Sequence, residues 1–194
     1  MHCLQSLPEN YRKIYEVDLQ KNKKTALLIN GLAIAVSLIM GIGMHCFVPI
    51  GTLFSMEAGL GAYCLRFAVL IAAMIGYIIL HEWVHGRAMR FYGAKKLRFG
   101  FTGMYAYAGS KEDYFTKNAY IVVALAPLVV WGIVLLVINL LVPEPWFWVV
   151  WLIQINNVSG AMGDIFVTVK FSRMPADILV NDDGVSMRVY ARED

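Results

Sequence analysis

The sequence predicts an all-α membrane protein: four transmembrane helices, with a short cytoplasmic β-hairpin or strand pair between the second and third. Three observations predict it. Of 194 residues, 59% are hydrophobic and 16% charged, against about 45–50% and 25% in an ordinary soluble domain. Four stretches are long and apolar enough to cross about 30 Å of hydrocarbon, which takes roughly 20 helical residues. Lysine and arginine crowd into alternate connections between those stretches, as they do in cytoplasmic loops.

Residues 1–24 form a polar arm with Glu9, Arg12, Lys13, Glu16, Asp18 and three further lysines. It lacks the apolar run of a signal peptide and the glycine of a myristoylation site, so the first span is expected to insert and stay. That span, 25–50, is uncharged. The second, 63–89, has Arg66 near its start, close enough to the outer surface to snorkel. It ends in His81-Glu82-Trp83-Val84-His85. The third, 118–143, includes Ala124-Leu125-Ala126-Pro127. The fourth, 145–169, is uncharged up to Asp164, and Trp146, Trp148 and Trp151 mark its outer end as an aromatic belt. A tail, 170–194, completes what is expected to be a single integral-membrane domain.

Orientation follows from charge. The arm carries five lysines and arginines, residues 51–62 none, residues 86–117 seven, the 143–145 turn none and the tail four. Both termini and the long loop are therefore expected in the cytoplasm, in a multi-pass protein of the cell membrane. Within that loop Leu97 to Phe101 alternates, Thr102-Gly103 can turn, and Met104 to Tyr107 is strand-like, which predicts the hairpin. In the tail Asn181-Asp182-Asp183-Gly184 is a turn signal before a short strand over Val185 to Tyr190. Cys3, Cys46 and Cys64 show no CxxC spacing. Cys46 and Cys64 share the outer surface, so a disulfide is topologically possible, but two lone buried thiols are the plainer reading. A net charge of +3 and no recognition motif argue against nucleic acid.

The chemistry concentrates at the end of the second span. Histidines at i and i+4 share a helical face, so His81 and His85 can hold one metal ion. Glu82 is placed to accept a proton from a water beside that ion. With four histidines in 194 residues, a chance match is expected roughly 3 times in 1,000. A catalytic zinc needs a third protein ligand. His45 is at the wrong end of its helix, and His2 lies on the arm. Asp164 precedes Lys170 and Arg173 by six and nine residues, as His81 precedes Arg87 and Arg90. At 1.5 Å per residue this places both at one depth. Zinc ligation is the preferred reading of Asp164, and snorkelling at a helix end the alternative. Asn157 and Gly160 share its helical face. Asn156 or Asn157 can contact substrate or an intermediate, and an interhelical hydrogen bond is an equal alternative.

Together these residues resemble the site-2 protease class of intramembrane zinc metallopeptidases, and a family of small bacterial zincin peptidases most closely. His81 to Gly86 matches the HExxH signature, Ala124 to Leu128 looks like an alanine-glycine-proline segment without the glycine before its proline, and Asn157 and Asp164 match the asparagine and aspartate of the fourth helix. The resemblance implies a three-helix catalytic core over roughly residues 60–170, a cytoplasm-side Zn2+ and cleavage of a membrane-embedded or membrane-proximal peptide. Its expected partners are a membrane-protein or peptide substrate and the bilayer. Here the glycine precedes the aspartate, as Gly163-Asp164, where the site-2 segment has it after. A Ste24-like enzyme would need a downstream helical glutamate, and Glu112, Glu144 and Glu193 fall in loops or the tail. A zinc permease would need a second ligand cluster. The remaining alternative is an inactive, metal-dependent scaffold that binds transmembrane helices.

Overall fold

The computed structural model describes residues 2–18, 21–103 and 105–193. The chain begins with β1 (Cys3–Leu4) and β2 (Tyr11–Asp18), then enters α1 (Lys23–His45), whose first turn is capped by the Asn22 side chain accepting from the Thr25 N–H. A 3-10 turn (Ile50–Phe54) leads to α2 (Gly59–Phe91). The hairpin β3 (Arg98–Phe101) and β4 (Ala106–Gly109) follows, then β5 (Tyr114–Thr116) and α3 (Lys117–Leu141). The chain ends with α4 (Glu144–Gly160), α5 (Met162–Ser172), β6 (Leu179–Asp182) and β7 (Ser186–Arg192).

Among the described residues three helices, α1, α2 and α3, are long and apolar enough to cross a membrane. Their surfaces are studded with exposed Leu28, Ile34, Ile39, Ile71, Ile75, Ile133 and Leu140. Soluble proteins rarely expose apolar patches of such extent. Helix α3 runs straight through Pro127, although proline inside a helix costs roughly 3 kcal/mol or more.

Two expectations about architecture need correction. The fourth span is not one helix: residues 145–169 divide into α4, of 17 residues, and α5, of 11, which meet at Ala161. Ser159, Gly160 and Gly163 around that joint are poor helix formers, so the joint is where the helix yields. Nor is the fold all-α. The expected hairpin is present, with Phe99 opposite Ala108, although Met104 lies outside the described residues. Beside it stands a five-stranded antiparallel sheet ordered β1-β5-β6-β7-β2. The polar arm supplies β1 and β2, the long loop β5, and the tail β6 and β7. β2 pairs with β7 from Tyr11 opposite Arg192 to Asp18 opposite Ser186. Arg12, Lys13 and Glu16 are all exposed on β2, which is why the arm reads as unstructured from composition.

The sheet closes one end of the helices over a core of Phe115, Tyr120, Phe171, Ile178, Val180 and Val189. Asp113 pins the connecting loop: it accepts from Gln5 Nε2 at 2.7 Å, the Lys95 N–H at 3.1 Å and the Ser110 hydroxyl. Asn181 Nδ2 donates to the carbonyls of Ser110, Lys111 and Asp113. At the opposite end Trp148 Nε1 donates to the Val48 carbonyl at 3.0 Å and Trp151 Nε1 to that of Met40 at 3.3 Å. Trp148 thereby ties α4 to the segment that follows α1, and Trp151 ties it to α1 itself. Arg66 is 3% exposed, and its guanidinium donates to the Ser55 carbonyl. Cys46 and Cys64 are free, and both are exposed where burial was expected.

Candidate metal centre

Helix periodicity sets His81 and His85 one turn apart on α2, and the α4–α5 joint swings the first turn of α5 against them. His81 Nε2 lies 3.7 Å from Asp164 Oδ2, and His85 Nε2 lies 3.6 Å from Asp164 Oδ1. One ligand atom from each residue falls within 4.8 Å of the others. Tetrahedral zinc ligands at roughly 2.0–2.2 Å stand about 3.3–3.6 Å apart, so each histidine lies close to that spacing from an Asp164 oxygen, and two imidazoles with one carboxylate suit zinc in donor chemistry.

The outward ring nitrogens decide which atoms are free to bind metal. His85 Nδ1 is 3.0 Å from the Val123 carbonyl oxygen. A carbonyl only accepts, so Nδ1 carries a proton, and in the neutral ring Nε2 keeps its lone pair. The His81 ring is oriented through three steps. Asn157 Nδ2 donates to the Leu128 carbonyl at 3.1 Å, which turns Asn157 Oδ1 towards Tyr77. The Tyr77 hydroxyl donates to that Oδ1 at 2.8 Å. Its oxygen, 2.8 Å from His81 Nδ1, is then left to accept the Nδ1 proton. Both histidines thus present Nε2 lone pairs towards Asp164, the arrangement that partners behind metal-binding histidines usually enforce.

Glu82 lines the same cavity, of about 470 Å³, together with Asn156, Tyr105, Tyr107, Tyr120 and Asp182. Among the described residues no lysine or arginine lines it. The hairpin forms one wall because Gly86 has no side chain: the Phe99 ring lies against its backbone where a Cβ would stand. This seats β4 beside the motif, with the Ala108 backbone N–H close to Glu82. Gly109 in turn lets the backbone of the β6–β7 turn, at Asp183 and Gly184, pack directly on β4. Gly184 adopts φ +89° there, under the Tyr107 ring.

The structure thus gathers His81, Glu82, His85, Asp164 and Asn156 around one space. Asn157 is fully buried behind it, and its amide is engaged by Tyr77 and Leu128, so the interhelical role describes its contacts. His45 accepts from the Ile50 N–H at 3.0 Å at the far end of α1, and His2 packs on Tyr92. Sequence reasoning missed Tyr77, although Tyr77, His81 and His85 repeat at i, i+4 and i+8 on one face. It also missed Asp182, which no local pattern marks. Asp182 Oδ2 accepts from the Tyr120 hydroxyl at 2.7 Å and Oδ1 from the Gly184 N–H at 2.8 Å. Burial nevertheless pushes its carboxyl up to about 6.

Residues 74–179 match a protein family described as "Putative zincin peptidase". The chain belongs to this family. The zincin peptidase match begins in α2 just before Tyr77 and reaches into β6. It includes the HExxH motif, the hairpin, Pro127, Asn157 and Asp164, and stops short of Asp182. The family description points to a zinc metallopeptidase. The chain is also similar to an uncharacterised 24.7 kDa protein from the gap 5' region of Pyrococcus woesei, 28% identical over 127 residues. That alignment covers 63% of this chain and 54% of the relative, so the chain spans about half the length of the curated protein it matches. No solved structure matches.

Proposed function

We propose that this zincin peptidase is an intramembrane zinc metalloendopeptidase of site-2 protease type, cutting a membrane-embedded or membrane-proximal peptide near the cytoplasmic face. The observation that carries the reading is the convergence of His81, His85 and Asp164 beside Glu82, in one cavity between the membrane helices and the polar sheet. His81, His85 and Asp164 would hold the ion. Bound zinc supplies Lewis acidity, polarising the scissile carbonyl and lowering the pKa of water. Glu82 accepts a proton from the attacking water as its oxygen bonds to the carbonyl carbon. Glu82 then delivers that proton to the amine nitrogen as the C–N bond breaks. The products are a carboxylate and an amine. Asn156, on the cavity wall, is placed to contact the peptide.

Access for an apolar peptide has a physical route. α1 packs on α4 and α5, whereas α2 packs on α3 and α4. The space this leaves is a groove lined by Ser37, Leu70, Met74, Ile75 and Leu152. Asn156 lines both groove and cavity, so the two adjoin. In proteoliposomes the protein is expected to cleave a doubly tagged single-span peptide. A chelator should stop cleavage, and added zinc should restore it. A zinc-loaded preparation that binds such peptides but leaves all of them intact would favour the scaffold reading instead.

The orientation belongs to the same proposal. Arm, long loop and tail share one hydrogen-bonded sheet, so they lie on one side of any membrane the helices cross. Their seventeen lysines and arginines, less Arg66, favour the cytoplasm. Reporter fusions at the N-terminus, near Lys111 and at the C-terminus should therefore report cytoplasm, and one near Met56 the outside. A translocated tail would contradict this.

A further inference from the structure

We propose that Pro127 is a positioning residue for His85: because it has no N–H, it leaves the Val123 carbonyl free to accept the His85 Nδ1 proton. In a regular α-helix the carbonyl of residue 123 accepts from the N–H of residue 127. Here residue 127 is proline, and α3 continues on both sides of it from Lys117 to Leu141. The Val123 carbonyl therefore loses its helical donor. Val123 is 1% exposed, so water is not at hand, and a buried carbonyl left unpaired is costly. His85 Nδ1 stands 3.0 Å away and supplies the donor.

The consequence is a choice of tautomer. A neutral histidine in water favours the proton on Nε2, which would block metal binding through that atom. Donation to Val123 holds the proton of the neutral ring on Nδ1, which leaves Nε2, 3.6 Å from Asp164 Oδ1, as the nitrogen with the lone pair. Pro127 itself is buried outside the cavity wall, which Val123 and Ala124 line. It acts only through the carbonyl it releases. The two histidines are thus oriented by separate devices, His81 by Tyr77 and Asn157, His85 by a proline on another helix. The inference rests on the proposed ligand role of His85 but not on peptide cleavage.

The test compares three full-length proteins in nanodiscs, with ¹⁵N-labelled histidine. Pro127→Ala restores an N–H that competes for Val123. In the metal-free protein, at a pH high enough to keep both rings neutral, the His85 ring nitrogens should then shift from the Nδ1–H towards the Nε2–H pattern, while His81 stays unchanged. Zinc affinity should fall on the order of 10- to 100-fold, as for other losses of a partner behind a metal ligand. Lactic acid at position 127 gives an ester, with neither ring nor N–H. It should keep the wild-type His85 pattern and zinc affinity within about 2-fold, a threshold well inside that expected loss. Pro127→Ala with wild-type tautomer and affinity would overturn the proposal. So would an ester protein that loses both, and that comparison with wild type stands alone if Pro127→Ala does not fold. Because the readouts are ring shifts and zinc affinity, an absence of protease activity leaves the result intact.

Discussion

Glu82→Gln should abolish cleavage while the protein still binds about one zinc per chain. The amide keeps the size of the side chain and its place on the cavity wall but cannot accept the proton of the attacking water. General-base assistance contributes typically 10²- to 10⁴-fold, so turnover in proteoliposomes should fall at least about 100-fold. Zinc content should hold because the three-residue ligand cluster consists of His81, His85 and Asp164 without Glu82. Metal analysis and peptide cleavage on the same preparation check both halves. Full turnover in this variant would remove Glu82 from the mechanism. Loss of zinc together with turnover would make Glu82 a ligand.

Asp164→Ala should remove both metal and activity. It takes away the one carboxylate between the two imidazoles, leaving two neutral nitrogen donors for a dication that usually takes three protein ligands in catalytic sites. Zinc affinity is expected to fall by more than the 10- to 100-fold typical of losing a partner behind a ligand. Asn157→Ala supplies that smaller comparison, since it frees the Tyr77 hydroxyl and so loosens the His81 ring without removing a donor atom. His45→Ala, at the far end of α1, should change neither quantity. Isothermal titration with zinc, run beside the cleavage assay, orders the four proteins. If Asp164→Ala kept wild-type zinc affinity while Asn157→Ala lost it, the ligand set would be wrong.

The histidine pair was legible because its signal is local: two histidines at i and i+4 must share a face once the segment is helical. The depth of Asp164 was legible too, since rise per residue and flanking charges suffice to place it. Tyr77 carried the same spacing and needed only the stripe to be read one turn further back. The three helices long and apolar enough to cross a membrane follow from composition over some twenty residues each. What escaped was every feature made by residues far apart in the chain. The arm pairs with the tail some 170 positions away, the Gly86 and Gly109 contacts seat the hairpin, and Asp182 reaches the cavity only because β6 runs beside β5. The α4–α5 joint was hidden for a related reason, because hydropathy is continuous across it while helix geometry is not. Composition alone determined the helices apolar enough to cross a membrane, and spacing alone the residues capable of ligating metal. Tertiary structure decided which nitrogen each histidine presents. That choice belongs to Leu128, Asn157 and Val123, on helices whose packing against α2 no local pattern specifies.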